Sequence, residues 1–163
     1  RADLDAIGGF NAIAPYLADD YWLAKKITGL GKPAYLSRAV VDTELGADSW
    51  TGVWKHQVRW ARTIRVSRGD GYMGLPVTHA GLWAALAFFA GMPAFALVAI
   101  TARWLSAFAG GVLAMDHELA KRAFVLAPLW DLWAFAVWLA GLAGRTVEWR
   151  GRVLHLGPGG RLN

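Results

Sequence analysis

The feature that most limits the fold of this chain is a long, almost continuously apolar stretch over residues 80–144. Most of the charged residues lie before it, in the first 75 residues. Hydrophobic residues make up 56% of the sequence, which is more than an ordinary soluble domain carries. This uneven distribution predicts two parts with different surroundings, a water-facing part first and a membrane part after it.

The apolar stretch contains two segments that are long enough to cross a bilayer. A membrane-spanning helix needs roughly 20 apolar residues, and residues 94–115 and 124–144 both reach that length. Arg103 is the one charged residue of the first segment, and Asp131 is that of the second. We therefore predict two membrane spans at these positions.

A shorter apolar segment precedes the two spans. Residues 80–91 carry no charge but number only 12, and Met92 and Pro93 interrupt the chain directly afterwards. Such a segment is too short to cross the bilayer as a helix, and a proline does not continue a helix without the loss of a backbone hydrogen bond. We interpret residues 74–91 as an interfacial or re-entrant helix within a membrane region over residues 74–144.

The basic residues indicate the orientation in the membrane. Residues 55–68 and the tail over residues 145–163 are both basic, and the cytoplasmic side of a membrane protein carries the excess of Lys and Arg. If both lie in the cytoplasm, the number of crossings between them is even, and the mixed-charge loop over residues 116–122 lies on the other side. The net charge of +5 suits contact with anionic lipid headgroups or a phosphate-bearing ligand, so we predict a phospholipid bilayer as partner. A nucleic-acid partner is not expected.

The water-facing part, residues 1–73, is predicted to contain short helices and one extended segment. Gly8 and Gly9 end a first helix, and a second helix begins at about Asp20. Residues 34–41 alternate and end in β-branched side chains, which predicts a strand. The remaining expected elements are a polar loop over residues 42–49 and, in the tail over residues 145–163, short strands with a Gly-Pro-Gly-Gly turn.

The pattern becomes helical over residues 50–66. Apolar residues recur there at three- and four-residue steps, beside a row of basic residues. An amphipathic helix with Trp on its apolar face suits the membrane interface, although the surface helix of a soluble domain has a similar pattern. The apolar face consists of Trp50, Trp54, Val58, Ala61 and Ile64, and the basic row of Lys55, Arg59, Arg62 and Arg65.

Three short motifs resemble known sites but lack the context of those sites. The sequence GDGYMG at residues 69–74 has the glycine spacing of a dinucleotide-binding loop, yet it follows a basic helix instead of a strand, so we predict a turn. Asp3 and Asp5 form a DxD pair at a helix start, where acidic residues are favoured in any case. Residues 116–118, with the sequence DHE, lie in a short loop and are predicted to be solvated.

Two adjacent carboxylates, those of Asp19 and Asp20, stand where the second helix begins. One of them suffices to cap the helix, and an acidic neighbour is favoured there by the helix dipole. Alternatively, one carboxylate is a general base held at the edge of a cleft. The local residues leave both interpretations open.

Three segments, GGFNAIAPYLADDYWLAKKI, HQVRWARTIR and FAVWLAGLAGRTVEWRGRVLHL, follow each other along the chain with a specific order and spacing. Together they resemble the C-terminal half of the ceramide glucosyltransferase family and of its bacterial relatives, which include hopanoid-associated glycosyltransferases. These are inverting, membrane-bound enzymes with a GT-A catalytic domain. The resemblance implies an α/β fold, the C-terminal part of a GT-A domain, followed by a helical membrane region in a chain that is mainly helical overall. It also implies that the chain is part of a longer protein.

The resemblance assigns roles to two motifs. The sequence ADDY is similar to the third aspartate motif of the family, which implies that Asp20 is the catalytic general base, Asp19 its acidic neighbour and Tyr21 a substrate-binding residue. The Arg–Trp pair of the family's (Q/R)xxRW motif corresponds to Arg59 and Trp60, which are both implied to be catalytic.

The first position of that motif departs from the family pattern. It is occupied by His56, and Gln57 comes one residue too late. Both are kept as candidate substrate-binding residues, because the His56 ring can still donate a hydrogen bond.

The resemblance implies transfer of a sugar, with glucose as the first candidate, from a UDP-sugar to the hydroxyl of a ceramide-type lipid with inversion. The nearest alternative is transfer of N-acetylglucosamine to a hopanoid, and the alternative from another class is a non-enzymatic membrane-anchored chain. A divalent cation, Mg²⁺ or Mn²⁺, is expected to be held by two earlier aspartate motifs that would precede Arg1, so no metal ligand is expected within this chain. By itself the chain is then expected to be inactive. The resemblance places the enzyme in a bacterial inner membrane, with its catalytic part in the cytoplasm.

Overall fold

The computed structural model describes residues 1–35, 37, 39, 41, 46, 49–149 and 151–162. Over these residues the chain is mainly helical, as predicted, with eight α-helices and one two-stranded antiparallel sheet. Residues 36, 38 and 40 of the strand predicted over residues 34–41 lie outside the described residues, and so do residues 42–45, 47 and 48 of the polar loop predicted over residues 42–49. The α/β part of a GT-A domain therefore stays a prediction.

The chain divides into two compact units. The first consists of Arg1–Tyr72 together with Gly141–Asn163, and the second of Met73–Ala140. The C-terminal tail thus belongs to the same unit as the first 72 residues, although the whole apolar stretch separates them in sequence.

The first unit begins with two helices. Helix α1 (Ala2–Ala6) ends before Gly8 and Gly9, whose φ angles of 92° and 67° lie in the left-handed region that favours glycine. A 3-10 turn follows at Phe10–Ala12, and helix α2 (Asp19–Gly29) begins one residue earlier than predicted. The carboxylates of interest thus lie inside the first turn of a helix.

Helix α3 (Trp50–Ser67) lies where the sequence predicted an amphipathic helix. The Ser49 hydroxyl oxygen caps its start by accepting a hydrogen bond from the Gly52 N–H at 3.1 Å. Val58 and Ala61, two members of the predicted apolar face, are buried. The middle of the helix is therefore fixed by apolar packing.

The tail forms a hairpin. Strand β1 (Thr146–Trp149) pairs antiparallel with strand β2 (Arg152–His155), and Gly151 turns the chain between them with a φ of 75°. Val147 and Leu156 are each only 3% exposed. The short strands predicted for the tail are thus present, and they contribute to the core of the first unit.

Two arginines of the basic row on α3 bind the backbone just before and within the hairpin. Arg62 donates from Nε to the Ala143 carbonyl and from Nη1 to the Thr146 carbonyl, both at 2.9 Å. Arg65 donates to the Gly144 carbonyl. Carbonyls that follow a helix end lack intrahelical partners, and cations are favoured there. This part of the basic row therefore stabilises the fold of the unit.

The segment GDGYMG forms a short helix, α4 (Gly69–Gly74), so the turn predicted for it is wrong. Tyr72 is 1% exposed, and a Cβ atom added at Gly141 would collide with its hydroxyl and lie 2.7 Å from the Ala61 Cβ. Packing of the Tyr72 ring against a residue without a side chain explains why a glycine-rich segment is held in a helix, despite the low helix propensity of glycine.

The second unit begins with a pair of packed helices. Helices α5 (Ala80–Phe89) and α6 (Pro93–Ala107) contact each other along a short connection, in which Gly91 has a φ of 74°. Pro93 stands at the first turn of α6, where its missing N–H is not needed by the helix. Pro93 thus begins one helix instead of interrupting another.

Within the described parts of the chain, two helical segments are long and apolar enough to cross a membrane. Pro93–Ala114 has 22 residues, because a π-helical segment continues α6. Glu118–Leu142 has 25 residues and combines helix α7 (Glu118–Ala123), a 3-10 turn and helix α8 (Ala127–Leu142). They lie at the two predicted span positions.

The second of these segments starts earlier than the sequence predicted. Residues 118–122 were expected in a loop and are helical, so the loop prediction is wrong for them. The Lys121 ammonium contacts Glu118 at 2.6 Å, one helical turn away, and Asp116 at 2.8 Å. Such contacts favour a helix in a polar segment.

A third membrane candidate exists if two bent helical pieces count as one. Together, Gly69–Thr78 and Ala80–Phe89 are long and apolar enough to cross a membrane, but the two pieces are bent by 54° relative to each other. This geometry fits a broken span or a re-entrant loop, the latter being the interpretation given to residues 74–91 from the sequence.

The two charged residues of the predicted spans form an ion pair. Arg103 Nε lies 3.0 and 2.9 Å from the two carboxylate oxygens of Asp131, which is 3% exposed. Asp131 Oδ2 also accepts the Gly81 N–H at 2.9 Å. Because a buried charge is costly without partners, these bonds hold helices α5, α6 and α8 together at one point.

Candidate active site

One cavity of the first unit is bounded by two separate parts of the chain. It has a volume of about 640 Å³ and lies between the start of α2, with the residues just before it, and one face of α3. The predicted site residues that line it are Asp19, Asp20, Tyr21, His56, Arg59 and Trp60. The fold thus brings together the two motifs that the sequence analysis identified.

Asp19 and Asp20, the acidic pair, are the first two residues of α2. The N-cap position belongs to Ala18, so neither aspartate is the N-cap residue. Asp19 Oδ1 accepts the Asp20 N–H at 3.0 Å, and Asp20 Oδ1 accepts the Tyr21 N–H at 2.7 Å. These amides have no intrahelical acceptor, so the bonds satisfy the helix start. Both side chains are exposed, and each has a second carboxylate oxygen that a ligand can use.

His56 and Arg59 form a hydrogen-bonded pair on α3. Arg59 Nη2 lies 3.2 Å from His56 Nδ1. A guanidinium group only donates, so Nδ1 is the acceptor and the proton of the neutral ring is assigned to Nε2. His56 Nε2 is buried and has no hydrogen-bond partner among the described residues. The ring therefore retains a donor for a ligand.

The surroundings keep the His56 ring neutral. Burial, and then the positive charge of Arg59, lower the pKa of His56 below its usual value of 6.5. Burial also lowers the pKa of Arg59, although a guanidinium remains charged at neutral pH. At neutral pH the cavity is thus lined by the cations of Arg59 and Arg68, one neutral imidazole and the acidic pair.

Aromatic rings border the cavity on both parts of the chain. The Trp60 ring lies 4.9 Å from the His56 ring between centroids, and Trp60 is 50% exposed. The Tyr21 ring contacts the Trp22 ring edge-on, with 5.8 Å between the centroids. The Lys25 ammonium lies 4.6 Å from the centroid of the Trp22 ring. Trp60 is therefore the exposed aromatic surface at this site.

Among the described residues, Gln57 is the one predicted site residue that does not line the cavity. Neighbouring residues of an α-helix are turned by about 100°, so Gln57 need not share the face of His56. Thr63 and Ser67 line the cavity and were not predicted. They follow Arg59 at four-residue steps, and this helical spacing is the signal that would have identified them.

A second cavity, of about 800 Å³, shares His56 and Arg59 with the first. Its other walls include Lys55 and Arg62 of α3 and Glu148 of strand β1. The hydrogen-bonded pair on α3 thus borders both cavities.

The described residues include no group of three or more His, Cys, Asp or Glu side chains that could hold a metal ion. The acidic pair alone supplies two carboxylates, which is a poor ligand set for Mg²⁺ without substrate phosphates.

An acidic pair in one cavity with an arginine and an exposed tryptophan suits an enzyme that transfers a group onto a hydroxyl. Residues 1–162 match the family model of glycosyl transferase family 21, a ceramide glucosyltransferase-like family. The chain belongs to this family, and its function is that of a glycosyltransferase. No curated protein and no solved structure matches it.

Proposed function

We propose that this glycosyltransferase moves glucose from UDP-glucose to the hydroxyl of a ceramide-type membrane lipid, with inversion at the anomeric carbon. The observation that carries the proposal is that Asp20, Arg59 and Trp60 line the same cavity. The membership in a ceramide glucosyltransferase-like family supports the choice of donor and acceptor.

Asp20 is the general base of the proposed reaction. A lipid hydroxyl is a poor nucleophile, so its proton must be removed as its oxygen forms a bond to the anomeric carbon. Asp20 lines the cavity and uses Oδ1 for the Tyr21 amide, while Oδ2 takes the proton. The bond from the anomeric carbon to the diphosphate oxygen breaks on the opposite face, and UDP leaves with the electron pair.

Arg59 and His56 stabilise the departing diphosphate. Negative charge develops on the leaving oxygen, and donors fixed in advance lower the energy of that state. Arg59 supplies a permanent positive charge, and the neutral His56 ring supplies the Nε2 proton, which has no partner among the described residues. His56 thereby takes over the donor function of the Gln or Arg that the family motif has at this position.

Apolar side chains beside the cavity suit a lipid acceptor. Trp60 and Ile64 line the cavity and are 50% and 45% exposed, and Trp50 at the other end of α3 is 75% exposed. Exposed tryptophans on an amphipathic helix fit the membrane interface, where a lipid offers its hydroxyl without leaving the bilayer. We place this cavity at the cytoplasmic surface of a bacterial inner membrane.

The complete gene product in membranes tests the proposed base. Asp20→Asn removes the proton acceptor and keeps the size of the side chain, so kcat should fall by roughly 100- to 10,000-fold. Asp5→Asn is the matched control, because Asp5 is an exposed aspartate of α1 outside the cavity. Wild-type rates in Asp20→Asn with preserved thermal stability would overturn the role of this residue.

A donor and acceptor panel tests the substrates. Labelled UDP-glucose and UDP-N-acetylglucosamine are each offered with ceramide and with a hopanoid alcohol, and the labelled lipids are separated by chromatography. The proposal expects the glucose–ceramide product to dominate. Product from N-acetylglucosamine and the hopanoid alone would replace the proposed substrates and leave the site chemistry intact. The panel is run with Mg²⁺, with Mn²⁺ and with a chelator, since the divalent cation expected for the family belongs to the proposal.

A further inference from the structure

The C-terminal turn over residues 157–162, called the tail turn below, is bonded to the chain just before the acidic pair. The Gly160 carbonyl accepts the Leu17 N–H at 3.1 Å, and the Pro15 carbonyl accepts the Leu162 N–H at 2.7 Å. These bonds form a short antiparallel contact between residues that are far apart in sequence. The last residues before Asp19 are therefore fixed by the tail.

The same turn is also bonded just after the acidic pair. The Trp22 indole N–H donates to the Gly159 carbonyl at 2.8 Å. The rings of Tyr16 and Trp22 lie 4.5 Å apart between centroids, so the chain on the two sides of the pair is also joined to itself. Asp19 and Asp20 thus lie in a short segment that the tail turn holds at both ends.

The tail turn touches α3 as well. A Cβ atom added at Gly160 would lie 2.8 Å from Ser67 Oγ and 3.4 Å from Val66 Cγ2, so the turn approaches the helix more closely than a side chain would allow. Gly160 is buried and has a φ of 79°, which favours glycine for a second reason. Ser67 belongs to the cavity-lining face of the helix that carries Arg59.

We infer that the tail turn is a positioning element of the active site, which fixes the distance between the acidic pair and Arg59 across the cavity. It contacts both walls of the cavity. Its effect on the reaction rests on the proposed function, whereas its contacts do not. Because a misplacement of about 1 Å at a reacting centre can cost about 100-fold in rate, this role predicts a loss of kcat when the turn is displaced.

The chain has no cysteine, which allows a direct test of the contact. Tyr16 and Arg161 are partners in an isolated antiparallel bridge. The Cα atoms of such partners lie about 4.5–5.5 Å apart, within the range of a disulfide. The Tyr16→Cys/Arg161→Cys double variant of the complete gene product should therefore crosslink on mild oxidation, seen as a mobility shift on a non-reducing gel. Tyr16→Cys/Arg152→Cys, with the second cysteine on the hairpin, is the matched control and should not.

A pair of glycine variants tests the effect on the reaction. Gly160→Val introduces a side chain at the positions of the Ser67 and Val66 side chains. Gly151→Val introduces it at a φ of 75°, where the added Cβ meets no described residue within 4 Å apart from its chain neighbours. Both variants carry the same left-handed strain. We expect kcat to fall roughly tenfold to 100-fold in Gly160→Val only, with the KM for the sugar nucleotide unchanged. Trp22→Phe, which removes the indole donor and keeps a ring, should show a smaller loss of the same kind.

The outcomes separate this inference from the proposed function. Equal kcat values in the two glycine variants, or an active parent whose cysteine pair does not crosslink, would overturn the positioning role. A selective loss of kcat in Gly160→Val, with a thermal midpoint like that of Gly151→Val, supports it. A cysteine pair that crosslinks in a protein without any transfer activity shows that the contact exists and that the proposed function, with the catalytic role of the turn, is wrong.

Discussion

The chain places carboxylates in two contrasting environments. In the first unit, Asp19 and Asp20 are exposed on a cavity and each binds a backbone amide through one oxygen. In the second unit, Asp131 is 3% exposed and binds the Arg103 side chain and the Gly81 amide. A carboxylate that is open to a ligand can accept its proton, whereas a carboxylate enclosed by its partners stabilises the fold. In the proposed function, the same residue type thus serves chemistry in one unit and structure in the other.

The two arginines follow the same division. Arg103 is paired with a carboxylate, so the charge of that pair is zero. Arg59 contacts a neutral imidazole, so the charge of this pair is positive, and the proposed function directs it at an anionic ligand. A net charge on such a pair is costly in an apolar setting and useful beside a cavity that binds an anion. The difference between the units can be tested by variants that alter one of them.

The largest expected effect on stability comes from Asp131→Ala. It leaves the Arg103 guanidinium without its carboxylate and the Gly81 amide without an acceptor, and breaking a buried pair costs about 3–5 kcal/mol. Thermal unfolding in detergent micelles, followed by circular dichroism, measures the loss. The double variant Arg103→Leu/Asp131→Leu should recover much of it, because two apolar residues replace the whole pair.

The control for this prediction is an exposed acid of the same unit. Glu118→Gln breaks a contact with Lys121 on the surface of α7, and we expect no measurable change in the unfolding midpoint. If Asp131→Ala instead abolished sugar transfer at unchanged stability, Asp131 would take part in the reaction and the contrast between the two units would be wrong.

A smaller effect is expected from Gly81→Ala in the same cluster. The added Cβ would collide with the Pro128 carbonyl oxygen and lie 2.8 Å from the Pro128 Cα, and backbone atoms cannot rotate away. Overpacking of this kind costs about 1–3 kcal/mol. Gly110→Ala is the matched control, since its Cβ meets no described residue within 4 Å outside its own helical segment, and it should leave the midpoint unchanged or raise it slightly. Equal midpoints for the two variants would show that α5 does not pack closely at Gly81.

Local patterns predicted the elements but not their partners. The three- and four-residue steps of apolar side chains identified α3, and the length of the apolar segments identified Pro93–Ala114 and Glu118–Leu142 as membrane candidates. The resemblance identified Asp20 and Arg59, and the fold places both on one cavity. These signals lie within short windows of sequence, which is why the sequence alone indicates them.

The contacts that the sequence does not predict are those between residues far apart along the chain. Arg103 and Asp131 were each recognised as the one charge of a span, but their pairing depends on how α6 and α8 pack. The bonds of the tail turn to Leu17 and Trp22 join opposite ends of the chain, and no local pattern indicates them. The prediction of a loop over residues 116–122 is wrong for residues 118–122, which are helical. A run of polar residues is typical of a loop, but here the polar side chains pair along a helix.

The smallest effect, and the one that tests the neutral partner of Arg59, is a dependence on pH. Because burial and Arg59 lower the pKa of His56, the unfolded chain holds more protons than the folded one between that lowered pKa and the usual 6.5. The contribution of the neutral ring to the free energy of unfolding is therefore complete above pH 6.5, and it declines as the pH falls from 6.5 towards the lowered pKa of the folded chain. A protonated ring cannot accept the hydrogen bond from Arg59 and places a second positive charge beside it.

We therefore expect kcat/KM to decline on the acid side of pH 6.5 by no more than roughly tenfold, measured from about pH 5 to about pH 8. His56→Gln, which supplies the residue that the family motif has at this position and does not titrate, should flatten this decline while keeping an amide donor. Gln57→Ala is the matched control on the neighbouring residue and should keep the wild-type profile, since Gln57 does not line the cavity within the described residues. If the decline of kcat/KM at acid pH persisted unchanged in His56→Gln, another group would be responsible for it. His56 would then have no role in the site, and the charge of Arg59 would act without a titrating partner.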